Sequence, residues 1–107
     1  MEKRPARIIW TQAARADVRK IVKHLRKHSE SNADKVVERI FIRTAALQQG
    51  FTRIGAREPL LMGLEIEFRY LIEGKYKIIY YPRNSDVVIA AVFDTRQNPV
   101  RLLSRFG

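Results

Sequence analysis

Apolar residues recur along this chain with two different periods, and the change from one to the other divides it into a helical first half and a stranded second half. Arg7-Ile8-Ile9-Trp10 is a short stretch rich in bulky, β-branched residues and predicts a strand. Thr11 supplies a side-chain oxygen able to cap a helix N-terminus. Ala14, Val18, Ile21, Val22 and Leu25 then fall at helical spacing, with Arg15, Arg19, Lys20, Lys23, Arg26 and Lys27 on the opposite face. Ser29 to Asn32 interrupts the pattern. Ser31 with Asp34 three residues later resembles a capping box, which predicts the start of a second helix. Ala33, Val36, Val37, Ile40, Phe41, Thr44 and Leu47 mark its expected buried stripe. Gly50 stands where a left-handed C-terminal cap is expected, with Phe51 placed for the apolar contact that accompanies such a cap. The short link between the two patterns predicts an antiparallel helical hairpin.

Residues 51–63 hold two glycines and a proline and have no clear period, so they read as a loop. From Glu65 the period is two: Ile66, Phe68, Tyr70 and Ile72 alternate with Glu65, Glu67 and Arg69. Glu73-Gly74 fits a tight turn, Tyr76 to Tyr81 a second strand stopped by Pro82, and Arg83 to Asp86 a second turn. Val87 to Phe93 is an unbroken apolar run, as expected of a central strand buried on both faces. Asp94 to Pro99 closes that strand, and a short basic tail follows. The order is β-α-α-β-β-β. It predicts one α+β domain over residues 1–107, with a helical hairpin on a small, mainly antiparallel sheet that the first strand also joins. Trp10, Ile40, Phe41, Ile78 and Val92 are the expected core.

Composition narrows the class of partner. A chain of 107 residues is one domain's worth, with room for a modest core and little for a deep enclosed pocket. Its 21 Lys and Arg against 11 Asp and Glu leave a net charge of +10, which draws it to polyanions: nucleic acid, an acidic membrane surface or an acidic protein. It has no cysteine, which excludes a disulfide scaffold, a thiol nucleophile and thiolate metal sites, and fits a reducing cytosol. The residues after Met1 lack the apolar stretch of a signal peptide. The longest apolar run, Val87 to Phe93, is far short of the roughly 20 residues that span a bilayer. A soluble cytoplasmic protein without membrane partners is the expectation.

Three stretches, taken in order, resemble the RelE/ParE toxin superfamily, and the ParE branch more than the RelE branch. Ile9-Trp10-Thr11 followed by Ala14, Asp17 and Ile21 is similar to the opening of ParE-type toxins. Tyr76-Lys77-Ile78-Ile79-Tyr80 is similar to the family's penultimate strand, and Val92-Phe93-Asp94-Thr95-Arg96-Gln97-Asn98-Pro99 to its closing motif. The resemblance covers roughly residues 7 to 100. It implies a toxin of a type II toxin–antitoxin system, held inactive by an acidic, partly disordered antitoxin that folds on it. The resemblance implies one of two targets. ParE members poison DNA gyrase, and RelE members cut messenger RNA on the ribosome. A third reading, independent of the family, is a non-toxic basic nucleic-acid-binding module.

RNA cleavage through the 2′-hydroxyl needs a base, an acid and cations to steady the phosphorane. Arg57, Arg69, Lys77 and Arg96 are the available cations, and Arg57, Lys77 and Arg96 are the catalytic candidates of an endoribonuclease. Lys77 and Arg96 match positions where RelE-type enzymes carry basic residues. Those enzymes commonly place a Tyr or His after the closing turn, and this chain has neither beyond Tyr81. That departure favours ParE and a protein target, although the closing turn also lacks the His or paired Arg of many ParE sequences. Target contacts are then expected from Arg69, Lys77, Arg96 and Arg101, and antitoxin contacts from Val22, Arg26, Arg39 and Arg43 on the hairpin. No cofactor is implied. His24 and His28 have the i, i+4 spacing of some helix metal sites, but without a third ligand they read as surface residues. Tyr70, Tyr76, Tyr80 and Tyr81 suit base stacking or plain strand packing. Arg96 either grips a target or holds its own turn through Asp94.

Overall fold

The structure, a computed structural model, describes residues 6–50 and 55–106. In chain order the elements are β1 (Ile8–Trp10), α1 (Gln12–Arg26), α2 (Glu30–Ala45) with a 3₁₀ turn at Ala46–Gln49, β2 (Ala56–Arg57), a 3₁₀ turn at Pro59–Leu61, β3 (Arg69–Glu73), β4 (Tyr76–Arg83), β5 (Asp86–Asp94) and α3 (Val100–Phe106). The five strands form one sheet in the order β1-β5-β4-β3-β2. β1 runs parallel to β5, and the other pairings are antiparallel. The α+β class and the hairpin-on-sheet layout match the expectation from the sequence.

Local chemistry explains the joints. Thr11 caps α1, its Oγ accepting from the Ala14 N–H at 3.1 Å. The hydroxyl of Thr11 also donates to the Ile89 carbonyl at 2.9 Å, which ties the start of α1 to the sheet. α2 opens two residues earlier than the capping-box reading: Ser29, not Ser31, is the N-cap and accepts from the Asn32 N–H at 3.1 Å. Gly50 ends the 3₁₀ turn at φ 152°, a conformation that favours glycine. Phe51 lies outside the described residues. The β3–β4 turn places Gly74 at φ 59°, and the β4–β5 turn places Asn84 at φ 57°. Pro82 does not stop β4. It pairs with Val87, whose N–H points the other way, to the Arg7 carbonyl, and β3 has already ended opposite Tyr80. The missing N–H of Pro82 thus falls beyond the β3–β4 pairing, where no strand of the described residues would accept it.

Two cores lie on opposite faces of the sheet. Under the hairpin, Ala14, Val18, Ile40 and Leu47 meet Leu71, Tyr76, Ile78, Tyr80, Val87, Ile89 and Val92. On the far face Leu61, Phe68, Ile79, Ala90, Ala91 and Leu102 come together, with Phe106 against Phe68 at a ring separation of 4.7 Å. This second core shows that the tail is a helix. Asn98 caps α3 by accepting from the Val100 N–H at 3.0 Å, and Leu102 is buried. The run from Val87 to Val92 is buried throughout, as expected of a strand covered on both faces.

Three further expectations need correction. Residues 51–63 are not all loop: β2 adds a two-residue edge strand, and Pro59–Leu61 form a 3₁₀ turn. The period-two face of β3 is shared out between the layers. Leu71 enters the hairpin core and Phe68 the far core, while Ile66 and Ile72 stay exposed. Phe41 is not a core residue but 47% exposed. The buried line of α2 is Ala33, Ile40, Thr44 and Leu47. A residue next to Ile40 is turned about 100° away from that line. Phe41 therefore lies on the flank, against the Trp10 ring at 5.0 Å. Of the other expected core residues Ile40, Ile78 and Val92 are buried, and Trp10 is partly so.

Candidate functional site

The outer face of the hairpin carries a long furrow. One end, about 650 Å³, is lined by Val18, Arg19, Val22, Lys23 and Arg26 of α1 and by Asp34, Val37 and Glu38 of α2. It runs into a second hollow of about 320 Å³ between Trp10, Arg15, Val18, Arg19 and Phe41. Helical periodicity builds the walls. Arg15, Arg19, Lys23 and Arg26 recur about once per turn along α1, and all four are exposed. The floor is apolar. Val22 and Arg26 therefore sit on this furrow. Arg39 does not: it lines a smaller hollow of about 200 Å³ with Leu25, Asn32, Val36 and the β3–β4 turn. Arg43 reaches the sheet, donating to the Ile72 carbonyl at 3.3 Å. The four residues singled out on the hairpin thus divide into two separate surfaces.

The candidate cations of the sheet do not converge either. Arg57 and Arg69 are register neighbours on β2 and β3. Arg69 donates to the Gly55 carbonyl at 2.7 Å and to Glu67 Oε2 at 3.3 Å. It also bonds the buried Tyr80 phenol, whose pKa burial raises. Gly55 is required here, because a Cβ would collide with the Tyr80 hydroxyl and the Tyr70 carbonyl. Lys77, three residues from Tyr80 along β4 and so roughly 10 Å away, sits 2.9 Å from Glu58 Oε2 and 4.6 Å over the Tyr70 ring. Glu58 is fully buried. Its Oε1 accepts from the Leu60 N–H at 3.2 Å, and its own N–H donates to the Phe68 carbonyl at 2.9 Å. The Lys77 contact is an ion pair rather than an aligned hydrogen bond, since Oε2 has no hydrogen-bond partner among the described residues.

Arg96 is held by its own turn. It grips Asp94 with Nε at 3.1 Å and Nη2 at 2.7 Å, and its backbone N–H adds a third bond at 2.9 Å. These hydrogen bonds hold the Asp94 carboxyl below the usual carboxylate range and raise the Arg96 guanidinium. Arg101 stands on the exposed side of α3 between Val100 and Leu103, which are 59% and 41% exposed. Its side chain makes no hydrogen bond or ion pair among the described residues. Tyr76 is buried, and burial, with the charge of Asp94, raises its pKa. Tyr81 packs edge-on to Phe68 at 5.5 Å. The tyrosines therefore occupy strand-packing positions. His24, in the last turn of α1, and His28, in the turn that follows it, have ring centroids 5.7 Å apart. Among the described residues no group of three His, Cys, Asp or Glu is placed to hold a metal ion.

Sequence reasoning missed three features of this surface. Glu58 lies in a stretch without periodicity, so nothing signalled its burial. Asp34 was read as a cap, and its place on the furrow wall with Glu38 follows only from the packing of α1 on α2. Phe41 looked like core because its helical face was assigned one residue too wide.

A family model described as the ParE toxin of the type II toxin–antitoxin system, parDE, matches residues 8–99. Among solved structures, a chain of the chromosomal ParDE TA system from P. aeruginosa is similar at a TM-score of 0.68 and 24% identity. The likeness covers 83% of this chain and 95% of that one, and at such identity it carries the fold. No match is found among curated proteins.

Proposed function

The chain belongs to the ParE toxin family of type II toxin–antitoxin systems, and from that membership we propose that it poisons DNA gyrase by protein contact, without acid–base chemistry. A cognate antitoxin, seated in the hairpin furrow, neutralises it. The site of action is the cytoplasm.

One observation carries the non-enzymatic part. Three of the cations that a phosphorane clamp would use already face a carboxylate in the free protein: Lys77 faces Glu58, Arg69 faces Glu67 and Arg96 faces Asp94. A cation so paired offers little of its field to an arriving phosphate. Arg57 and Arg69 also lie some three residues along the strands from Lys77, so the set does not enclose one reacting phosphorus. Buried Tyr76 and Tyr80, with raised pKa values, are poorly matched to proton abstraction near neutral pH. A protein contact suits the exposed side of α3, where Arg101, without a side-chain partner among the described residues, stands between two exposed aliphatics.

The test is induced expression in a bacterial host with two readouts, a DNA-damage reporter and pulse-labelled protein synthesis. The proposal expects filamentation and reporter induction while synthesis continues at first. Arg101→Ala should weaken both effects and leave antitoxin binding intact. An early stop of synthesis with cuts in ribosome-bound message would replace the proposal with a RelE-like endoribonuclease. Unimpaired growth would favour a non-toxic nucleic-acid-binding module.

A further inference from the structure

The net charge of +10 points to a uniformly acidic ligand, yet the furrow is not uniformly basic. Its α1 wall carries Arg15, Arg19, Lys23 and Arg26, and its α2 wall carries Asp34 and Glu38. Asp34 and Glu38 are four residues apart, so they stand one above the other on the same flank, and both are exposed. The walls touch weakly at one point, where Arg26 and Asp34 approach to 3.9 Å. Beyond Glu38 the α2 wall turns apolar, with Phe41 and Ile42 exposed at 47% and 60%. Between the walls the floor is Val18, Val22 and Val37, closed at one end by Trp10 against Phe41.

From this arrangement we propose that the furrow takes an amphipathic helix of about three turns whose two flanks are oppositely charged, acidic towards α1 and basic towards Asp34 and Glu38. This rests on the reading of the furrow as the antitoxin site and specifies the segment that fits it. The length follows from the cationic stripe: Arg26 stands eleven positions after Arg15, roughly 16 Å along the axis at about 1.5 Å per residue. An apolar side chain of the ligand meets the valine floor, and a large one packs at the Trp10–Phe41 end. The flanks also set direction. Turning such a helix end for end over the floor would place its acids beside Asp34 and Glu38, so only one orientation satisfies both walls. A uniformly acidic helix satisfies α1 but meets repulsion along α2.

The test uses two synthetic helical peptides with the same apolar stripe, one with opposite flanks and one with acidic flanks, titrated against the full-length protein at moderate salt. The first should bind about tenfold more tightly, since two exposed ion contacts turn from repulsive to attractive. In the double variant Asp34→Lys/Glu38→Lys the order should reverse, and in Arg19→Glu/Lys23→Glu both peptides should weaken. All four positions are exposed, and thermal melts of the variants report that the fold is kept. The acidic peptide binding as well as or better than the striped one, with the Asp34→Lys/Glu38→Lys variant leaving the ratio unchanged, would overturn the proposal while Val22→Glu still abolished both. Binding of both peptides that Val22→Glu left intact would instead overturn the furrow as the docking site, and the proposal with it.

Discussion

Adjacent residues of α2 separate stability from recognition. Ile40 is fully buried over the sheet, whereas Phe41 is 47% exposed beside Trp10. Ile40→Ala should cost about 2–5 kcal/mol, as buried aliphatic truncations do. Phe41→Ala should cost less, at most about 1–2 kcal/mol, because it loses half a burial and one tilted ring contact. Urea unfolding of the two variants gives the comparison, and an equal loss would mean that Phe41 is core after all. Lys77 gives a second contrast. Its removal strands the fully buried Glu58 carboxylate, so Lys77→Ala should destabilise by about 3–5 kcal/mol. Replacing the pair together, Lys77→Met with Glu58→Leu, should recover much of that loss. Were Lys77 a catalytic cation at the surface, Lys77→Ala would leave the unfolding curve nearly unchanged.

Between elements, the short β1 explains a network that no periodicity announces. β1 ends at Trp10, opposite Ile89, and among the described residues no strand covers the rest of β5 on that side. The β4–β5 register also shifts between Ile79 and Tyr80, so Ala90 and Ala91 both turn to the far core. Side chains fill in for the missing strand. Asp17 of α1 accepts from the Val92 N–H at 2.9 Å, Arg105 of α3 donates to the Ala90 carbonyl at 3.0 Å, and the two side chains pair at 2.8 Å. One acid thus joins both helical layers to the edge of the sheet. Asp17→Ala should raise the amide exchange rate of Val92 at least tenfold, while the Ile78 and Ile79 amides change little. Equal protection of Val92 in both proteins would remove this role. The closing turn is held by a titratable pair. Bonds from Arg96 hold the Asp94 carboxyl below its usual range. Its stabilising contribution is therefore complete above the ordinary carboxylate value, about 3.9, and is lost as pH falls through the depressed folded value. Arg96→Ala should move the Asp94 titration, followed by carboxyl NMR, up in pH. An unmoved midpoint would mean that Arg96 does not set it.

Across the molecule, the regular elements were legible from the sequence and the second layer was not. Helical spacing located the hairpin, and the run from Val87 to Phe93 located the centre of the sheet, because each buries one continuous apolar face. α3 is seven residues long, with Leu102 and Phe106 as its apolar anchors, too short for a period to stand out from a basic tail. Glu58 and β2 lie in a stretch whose conformation is set by tertiary contacts, with Phe68, Lys77 and Arg69, rather than by local pattern. The candidate site divided in the same way. Val22 and Arg26 were found because they belong to a helical face, whereas the opposing wall of Asp34 and Glu38 exists only once α2 packs beside α1. The cations Arg69, Lys77 and Arg96 could be named from the sequence, and the carboxylates that Arg69 and Lys77 face became visible only in three dimensions. The proposed action of this ParE-family chain is contact with gyrase. Its most direct test is the purified protein added to a DNA gyrase supercoiling reaction, beside a programmed-ribosome cleavage reaction. A gyrase poison inhibits supercoiling or traps cleaved DNA and leaves message intact. Cleaved message together with unaffected gyrase would contradict it.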